Sequence, residues 1–251
     1  MHDILAALAD QQAELDSLIN PIDEAAWDKP SRCDGWTVSD VVLHLAQTNE
    51  MALASLQHRM NAYLEDALRG LPPSANVDDG AGAMVDAERG ASPAEVYARL
   101  LAATTDMMAA YRAADPHDRV QWVAGTLSVH TLATTRLAET WIHTNDVAFG
   151  VGIDLPSPDR LKHIARLAWR TLPYAYGRAG RSLQSSVAFE LTAPDGVESW
   201  VFADGPSDTI VRGPVRDLCE VAGQRADAAD TSLIAEGPDA EGVLELVRTF
   251  A

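Results

Sequence analysis

The stretch RLAETWIHTNDVAFG, Arg136 to Gly150, constrains the fold of this chain more than any other. At roughly 100° per helical residue, Glu139 and His143 lie one turn apart on a shared face, and Asp146 returns to nearly the same direction. Leu137 and Trp141 fall on the opposite stripe. A helix that turns polar, proton-handling groups toward one neighbour and apolar bulk toward another belongs among packed helices, not on a solvent face.

The remaining chain supplies such neighbours. Ile4, Leu5, Leu8, Leu15, Leu18 and Ile19 recur at three- and four-residue spacings, which predicts a helix over 3–19 that Asn20-Pro21 ends. In CDGWTVSDVVLHLAQ, Thr37 can cap a helix and Asp40 can answer it as a capping box; the helix is expected to run to about Leu68. His44 shares its face with Val41 and Thr48 and therefore points inward. LPPSANVDDGAG reads as a loop, 83–89 as a short helix, and Ser92-Pro93-Ala94-Glu95 as the start of a helix reaching Ala113. A connection containing Trp122 and Gly125 then leads into the helix of Glu139. Four principal helices make an antiparallel bundle the economical architecture.

Ser157-Pro158 starts a further helix through Leu161, Ile164, Leu167 and Leu172, ending near Gly177. The period then changes to two: Val187, Phe189 and Leu191 alternate, Asp195-Gly196 turns, and 200–202 returns as a strand. Strands at 209–211 and 231–235 and helices at 214–222 and 238–250 complete the expectation. The fold class is α+β, a helical bundle over 1–180 followed by a small α/β domain over 181–251.

Charge and cysteine usage exclude several function classes. A net charge of −18 repels a polyanion, so nucleic acid is not a partner. No apolar run approaches the ~20 residues of a membrane span, and the amphipathic, acidic Met1 to Leu18 segment is unlike a signal peptide. A cytoplasmic protein follows, with small-molecule partners and homo-oligomerisation left open. Cys33 and Cys219 belong to no CxxC pair, so reduced thiols are expected in place of a disulfide framework or thiolate zinc knuckle.

The candidate site is His44 from one helix with Glu139 and His143 from another. Two imidazoles and a carboxylate suit a divalent ion such as Zn²⁺, and three protein ligands leave a coordination position open for catalysis. Asp146 can orient a ligand imidazole. The plainer alternative is a solvated Glu-His pair worth ~0.2 to 0.5 kcal/mol. His130 falls on the far side of the helix, and His2, His58, His117 and His163 read as surface or helix-end residues. Cys33 reads as a small turn residue before a nucleophile, and Trp36 and Trp141 as packing before ligand stacking. Arg166, Arg170, Arg178 and Arg181 either attract a carboxylate ligand to the domain junction or form a solvated face.

Together, CDGWTVSDVVLHLAQ and TTRLAETWIHTNDVAFGVG resemble the mycothiol-dependent maleylpyruvate isomerase family of the DinB-like superfamily. The resemblance implies a DinB-like four-helix bundle with His44, Glu139 and His143 as metal ligands. Many DinB-like relatives carry a third histidine where this chain has Glu139, which points to the isomerase-like branch. FELTAPDG, Gly213-Pro214 and Ala222-Gly223-Gln224-Arg225 resemble the small α/β domain appended in that family. It implies Arg225 as counterpart of a catalytic arginine, although Gly-Gln-Arg departs from the more usual Gly-Arg; by itself Arg225 reads as a helix-end residue. The implied cofactors are a divalent metal and mycothiol, the implied chemistry a thiol-dependent isomerisation or S-transfer on a small electrophile, with Arg225 and Asp146 as catalytic candidates. A metal-dependent hydrolase or lyase using activated water, and a non-catalytic metal-binding module, stay open beside it.

Overall fold

The structure, a computed structural model, describes residues 1–249. They divide into two compact units, Met1–Leu155 and Pro156–Ala251. In the first, α1 (His2–Ile19) is followed by α2 (Glu24–Trp27), α3 (Val38–Leu56), α4 (Met60–Ala67), α5 (Val77–Glu88) and α6 (Pro93–Ala113). A hairpin of β1 (Arg119–Trp122) and β2 (Gly125–Ser128) then leads into α7 (Val129–Val151). Helices α1, α7, α3 and α6 pack in a ring, each against two of the others.

Local chemistry sets the ends of these helices. Thr37 and Asp40 form the expected capping box at α3, and Ser92 and Glu95 form another at α6, below Pro93. Ser128 caps α7, and Gly152, at φ 75°, closes it in the left-handed conformation that glycine adopts without a Cβ clash. Three expectations change. The helix expected to continue to Leu68 stops at Leu56, because His58 takes φ 56° and breaks the ladder before α4 begins. Asn76 caps α5 by accepting from the Asp79 amide, so that helix begins inside the segment read as loop. The connection around Trp122 is an antiparallel hairpin that pairs Arg119 with Ser128 and Trp122 with Gly125.

Apolar residues from α1, α3, α6 and α7, among them Leu15, Ile19, Val41, Leu45, Leu100 and Val147, form a shared core. Beside it runs a circuit of hydrogen bonds made by side chains of all four helices and closed on one main-chain carbonyl. Arg136 Nη2 donates to Asn49 Oδ1 (3.0 Å), Asn49 Nδ2 to Thr104 Oγ1 (3.0 Å), and Thr104 Oγ1 to Gln12 Oε1 (3.4 Å). Gln12 Nε2 donates to Thr140 Oγ1 (3.2 Å), whose hydroxyl returns to the Arg136 carbonyl (2.8 Å). These bonds offset the burial of the amides and hydroxyls, whereas Arg136 keeps two further nitrogens outside the circuit.

The second unit opens with α8 (Leu161–Arg178), which starts after a turn at Pro158 and not at Ser157-Pro158 itself. Strands β3 (Val187–Thr192), β4 (Ser199–Phe202), β5 (Thr209–Pro214) and β6 (Ile234–Glu236), with α9 (Val215–Ala222) and α10 (Ala240–Leu246), complete it. The sheet order is β4-β3-β5-β6, with β3 and β5 parallel and the outer pairs antiparallel. Helix α8 lies on the N-terminal side of the domain boundary expected at 180, yet it packs on α9, α10 and β4, and the units divide after Leu155. The helix expected over 238–250 is confined to α10; Phe250 lies outside the described residues. No described helix is long and apolar enough to cross a membrane.

Candidate metal centre

Packing of α3 on α7 brings His44 against Glu139 and His143. Glu139 Oε2 stands 4.0 Å from His44 Nε2 and 3.7 Å from His143 Nε2, and the two imidazole rings sit 4.9 Å apart, edge to face. One donor atom from each of the three residues lies within 4.8 Å of the others. Donors at ~2.0 to 2.2 Å from a tetrahedral ion are roughly 3.4 Å apart. The two separations from Glu139, 4.0 and 3.7 Å, are too wide for direct hydrogen bonds and slightly wider than that spacing, so the three donors would draw inward by a few tenths of an ångström or more to close on a cation. Borderline nitrogen and hard oxygen donors suit a Zn²⁺-like ion, so these residues fit the metal that the sequence implies.

The electrostatics assign different states to the two imidazoles. Burial pushes His44 down to about 4, leaving it neutral with a lone pair to offer. Burial also opposes the charge on His143, but its bond to Asp146, the nearby Cys33 thiol and the charge of Glu139 together lift it to about 9. Glu139 is disfavoured as a carboxylate by burial and favoured by His44, His143 and Arg136, which together hold it at about 2.

Asp146 does not belong to the converging trio. Its Oδ2 accepts from His143 Nδ1 at 2.9 Å, which directs Nε2 of that ring toward Glu139. The same oxygen accepts from Cys33 Sγ at 3.1 Å, and the thiol lies 3.7 Å from His143 Nδ1. Cys33, Asp146 and His143 form a second group of clustered donors, so the thiol read as a turn residue stands beside a ligand candidate. Gly150 explains its approach: a Cβ there would meet the Pro30 carbonyl oxygen and Val38 Cγ2 at 2.8 Å, so only glycine lets the 30–36 segment lie on α7. The Arg32 amide donates to the Asp146 carbonyl at 3.3 Å, fastening that segment. Trp36 in the same segment lays its ring 5.2 Å from that of His44, and Trp141 is buried in the core.

The other candidates lie elsewhere. His2, His58, His117 and His130 are exposed, and His163 is half-buried in α8. Arg225 follows α9 in the second unit, after Gln224 at φ 57°, and donates to the Gly223 and Gln224 carbonyls at 3.1 and 3.4 Å. Arg166, Arg170, Arg178 and Arg181 are exposed, with Arg181 paired to Glu245 at 2.7 Å. The feature that spacing did not single out is Arg136. It is 0% exposed, its Nε and Nη1 have no hydrogen-bond partner, and among the described residues no carboxylate pairs with it.

Comparison with known proteins bears on this geometry. Two uncharacterized Mycobacterium tuberculosis proteins, from strains CDC 1551 and H37Rv, are each 28% identical over 250 residues, covering 98% of this chain and 95% of theirs. The fold is similar to the crystal structure of the mycothiol-dependent maleylpyruvate isomerase at a TM-score of 0.62, with 19% identity over 94% of this chain and 95% of that one. A histidine-to-alanine mutant of that isomerase gives the same TM-score at 18% identity. At that identity the likeness is one of fold. The mycothiol maleylpyruvate isomerase N-terminal domain matches residues 8–148, more than half of the chain and the run from within α1 to just past Asp146, and the protein therefore belongs to that family.

Proposed function

We propose that this protein is a divalent-metal enzyme that uses a small thiol of the mycothiol type to isomerise, or to transfer sulfur onto, a small electrophilic substrate. The convergence of His44, Glu139 and His143 donor atoms within 4.8 Å carries the reading, with Asp146 behind His143 in support. A bound divalent cation supplies Lewis acidity and lowers the pKa of a coordinated thiol. The chain's part is to hold and shield that ion. His44 offers an unprotonated ring nitrogen, Glu139 stays ionised, and Asp146 fixes the ring of His143. Trp36 packs beside the His44 ring. Arg225 is assigned by its place in the family pattern as the cation that steadies negative charge developing on substrate. Cys33 and Cys219 remain thiols, which agrees with a reducing, cytoplasmic setting.

The test couples metal analysis to turnover. Wild type should hold close to one Zn²⁺ per chain and His44→Ala should lose it. Full stoichiometric metal in the variant would sink the three-ligand centre. Turnover of an electrophile that needs no added thiol would move the chemistry to activated water.

A further inference from the structure

We infer that buried Arg136 makes the open ligand position of this centre selective for anions over neutral ligands. The inference rests on the metal reading above and names what that position takes: a monodentate anion, of which the thiolate is one source and a carboxylate another. Arg136 stands one turn before Glu139 on α7, close enough that its charge bears on both Glu139 and His44. It is fully buried, its Nη2 is spent on the neutral oxygen of Asn49, and its other two nitrogens have no protein partner. The other acidic groups of α3 are already committed, Asp40 to Arg89 at 2.9 Å and Glu50 to Arg99 at 2.7 Å. A guanidinium does not shed its proton at ordinary pH, so its charge must be balanced from the site itself.

Formal charges show what is missing. A divalent cation, Arg136 and two neutral imidazoles are opposed by the Glu139 and Asp146 carboxylates, which leaves one positive charge uncompensated. A neutral fourth ligand keeps that excess in a low-dielectric interior, whereas an anion removes it. At an effective dielectric near 20, a unit charge about 10 Å away changes the affinity for an anion by roughly tenfold.

The experiment uses the Co²⁺-loaded protein, whose visible ligand-field bands report the open position directly. It is titrated with azide, with acetate, with a small thiol and, as the neutral probe, with imidazole. The informative variant is Asn49→Asp, which keeps the side-chain shape and sets a carboxylate where Oδ1 now meets Arg136 at 3.0 Å. Azide affinity should fall about tenfold or more, with imidazole unchanged within about twofold. Arg136→Lys, which keeps the charge, should retain the anion preference. Thiol and acetate titrations tell the two anion sources apart by which is weakened more. Unchanged azide affinity in Asn49→Asp, or equal loss for azide and imidazole, would overturn the inference while leaving the metal centre intact. Failure of the wild type to take up Co²⁺ would remove the metal reading, and this inference with it.

Discussion

Replacing Asp146 with asparagine should change how zinc affinity depends on pH more than it changes the affinity at pH 7. Asp146, itself fully buried, accepts through Oδ2 from His143 Nδ1 at 2.9 Å, and His143 is held at about 9. At pH 7 the ring carries a proton that an arriving cation must displace. Two pH units below that value reduce apparent affinity about 100-fold, or about 2.7 kcal/mol. Wild-type affinity should therefore rise about tenfold per pH unit from 7 to 9, with about one proton released per ion, and then level off. Asparagine removes the charge that outweighs burial, so the ring becomes neutral at pH 7 and the climb disappears. The amide also orients the ring less firmly, at a cost of about 10- to 100-fold in intrinsic affinity. The two effects nearly cancel at pH 7, and the variant is about 10- to 100-fold weaker at pH 9. Competition with a chromophoric chelator across this range, with calorimetry in two buffers of different ionisation enthalpy to count protons, measures both quantities. Parallel affinity curves, or equal proton release at pH 7, would refute the assigned charge state of His143.

Two further substitutions probe the frame around the centre. Gly150→Ala places a methyl group 2.8 Å from the Pro30 carbonyl oxygen, so the 30–36 segment must move off α7. A stability loss of about 1 to 3 kcal/mol in denaturant titration is expected, with faster labelling of Cys33 by a thiol reagent; unaltered stability would show that the contact yields freely. Tyr111→Phe removes a buried hydroxyl that has no partner, so stability should hold or rise by up to about 1 kcal/mol, and a clear loss would reveal a partner for that oxygen.

What the chain discloses before folding is what short-range geometry governs. The capping boxes of Thr37 and Ser92 and the one-turn spacing of Glu139 and His143 involve neighbours in sequence, and each can be read from residue types alone. The inward face of His44 was legible from Val41 and Thr48, whereas its meeting with Glu139 depends on how α3 lies on α7. Cys33 was read as a turn residue because nothing near it in sequence announces Asp146; the signal was Gly150, whose missing side chain has meaning only once Pro30 lies against it. Nothing in the sequence around Arg136 marks it as special, because arginine is ordinarily exposed and its burial is decided by the other helices of the bundle. The break at His58 and the affiliation of α8 likewise reflect tertiary packing that overrides local periodicity.

The hydrogen-bond circuit through Arg136, Asn49, Thr104, Gln12 and Thr140 has a consequence for how this bundle can vary over time. An apolar core accepts substitutions one by one, since neighbouring side chains can shift to fill lost volume. A chain of donors and acceptors that closes on a main-chain carbonyl has less slack: changing one of its side chains strands the side-chain groups bonded to it, at about 1 to 3 kcal/mol for each orphaned group. Replacing α1 or α6 by a helix without Gln12 or Thr104 would therefore leave part of the circuit unpaired. In this chain α1, α3, α6 and α7 form a matched set.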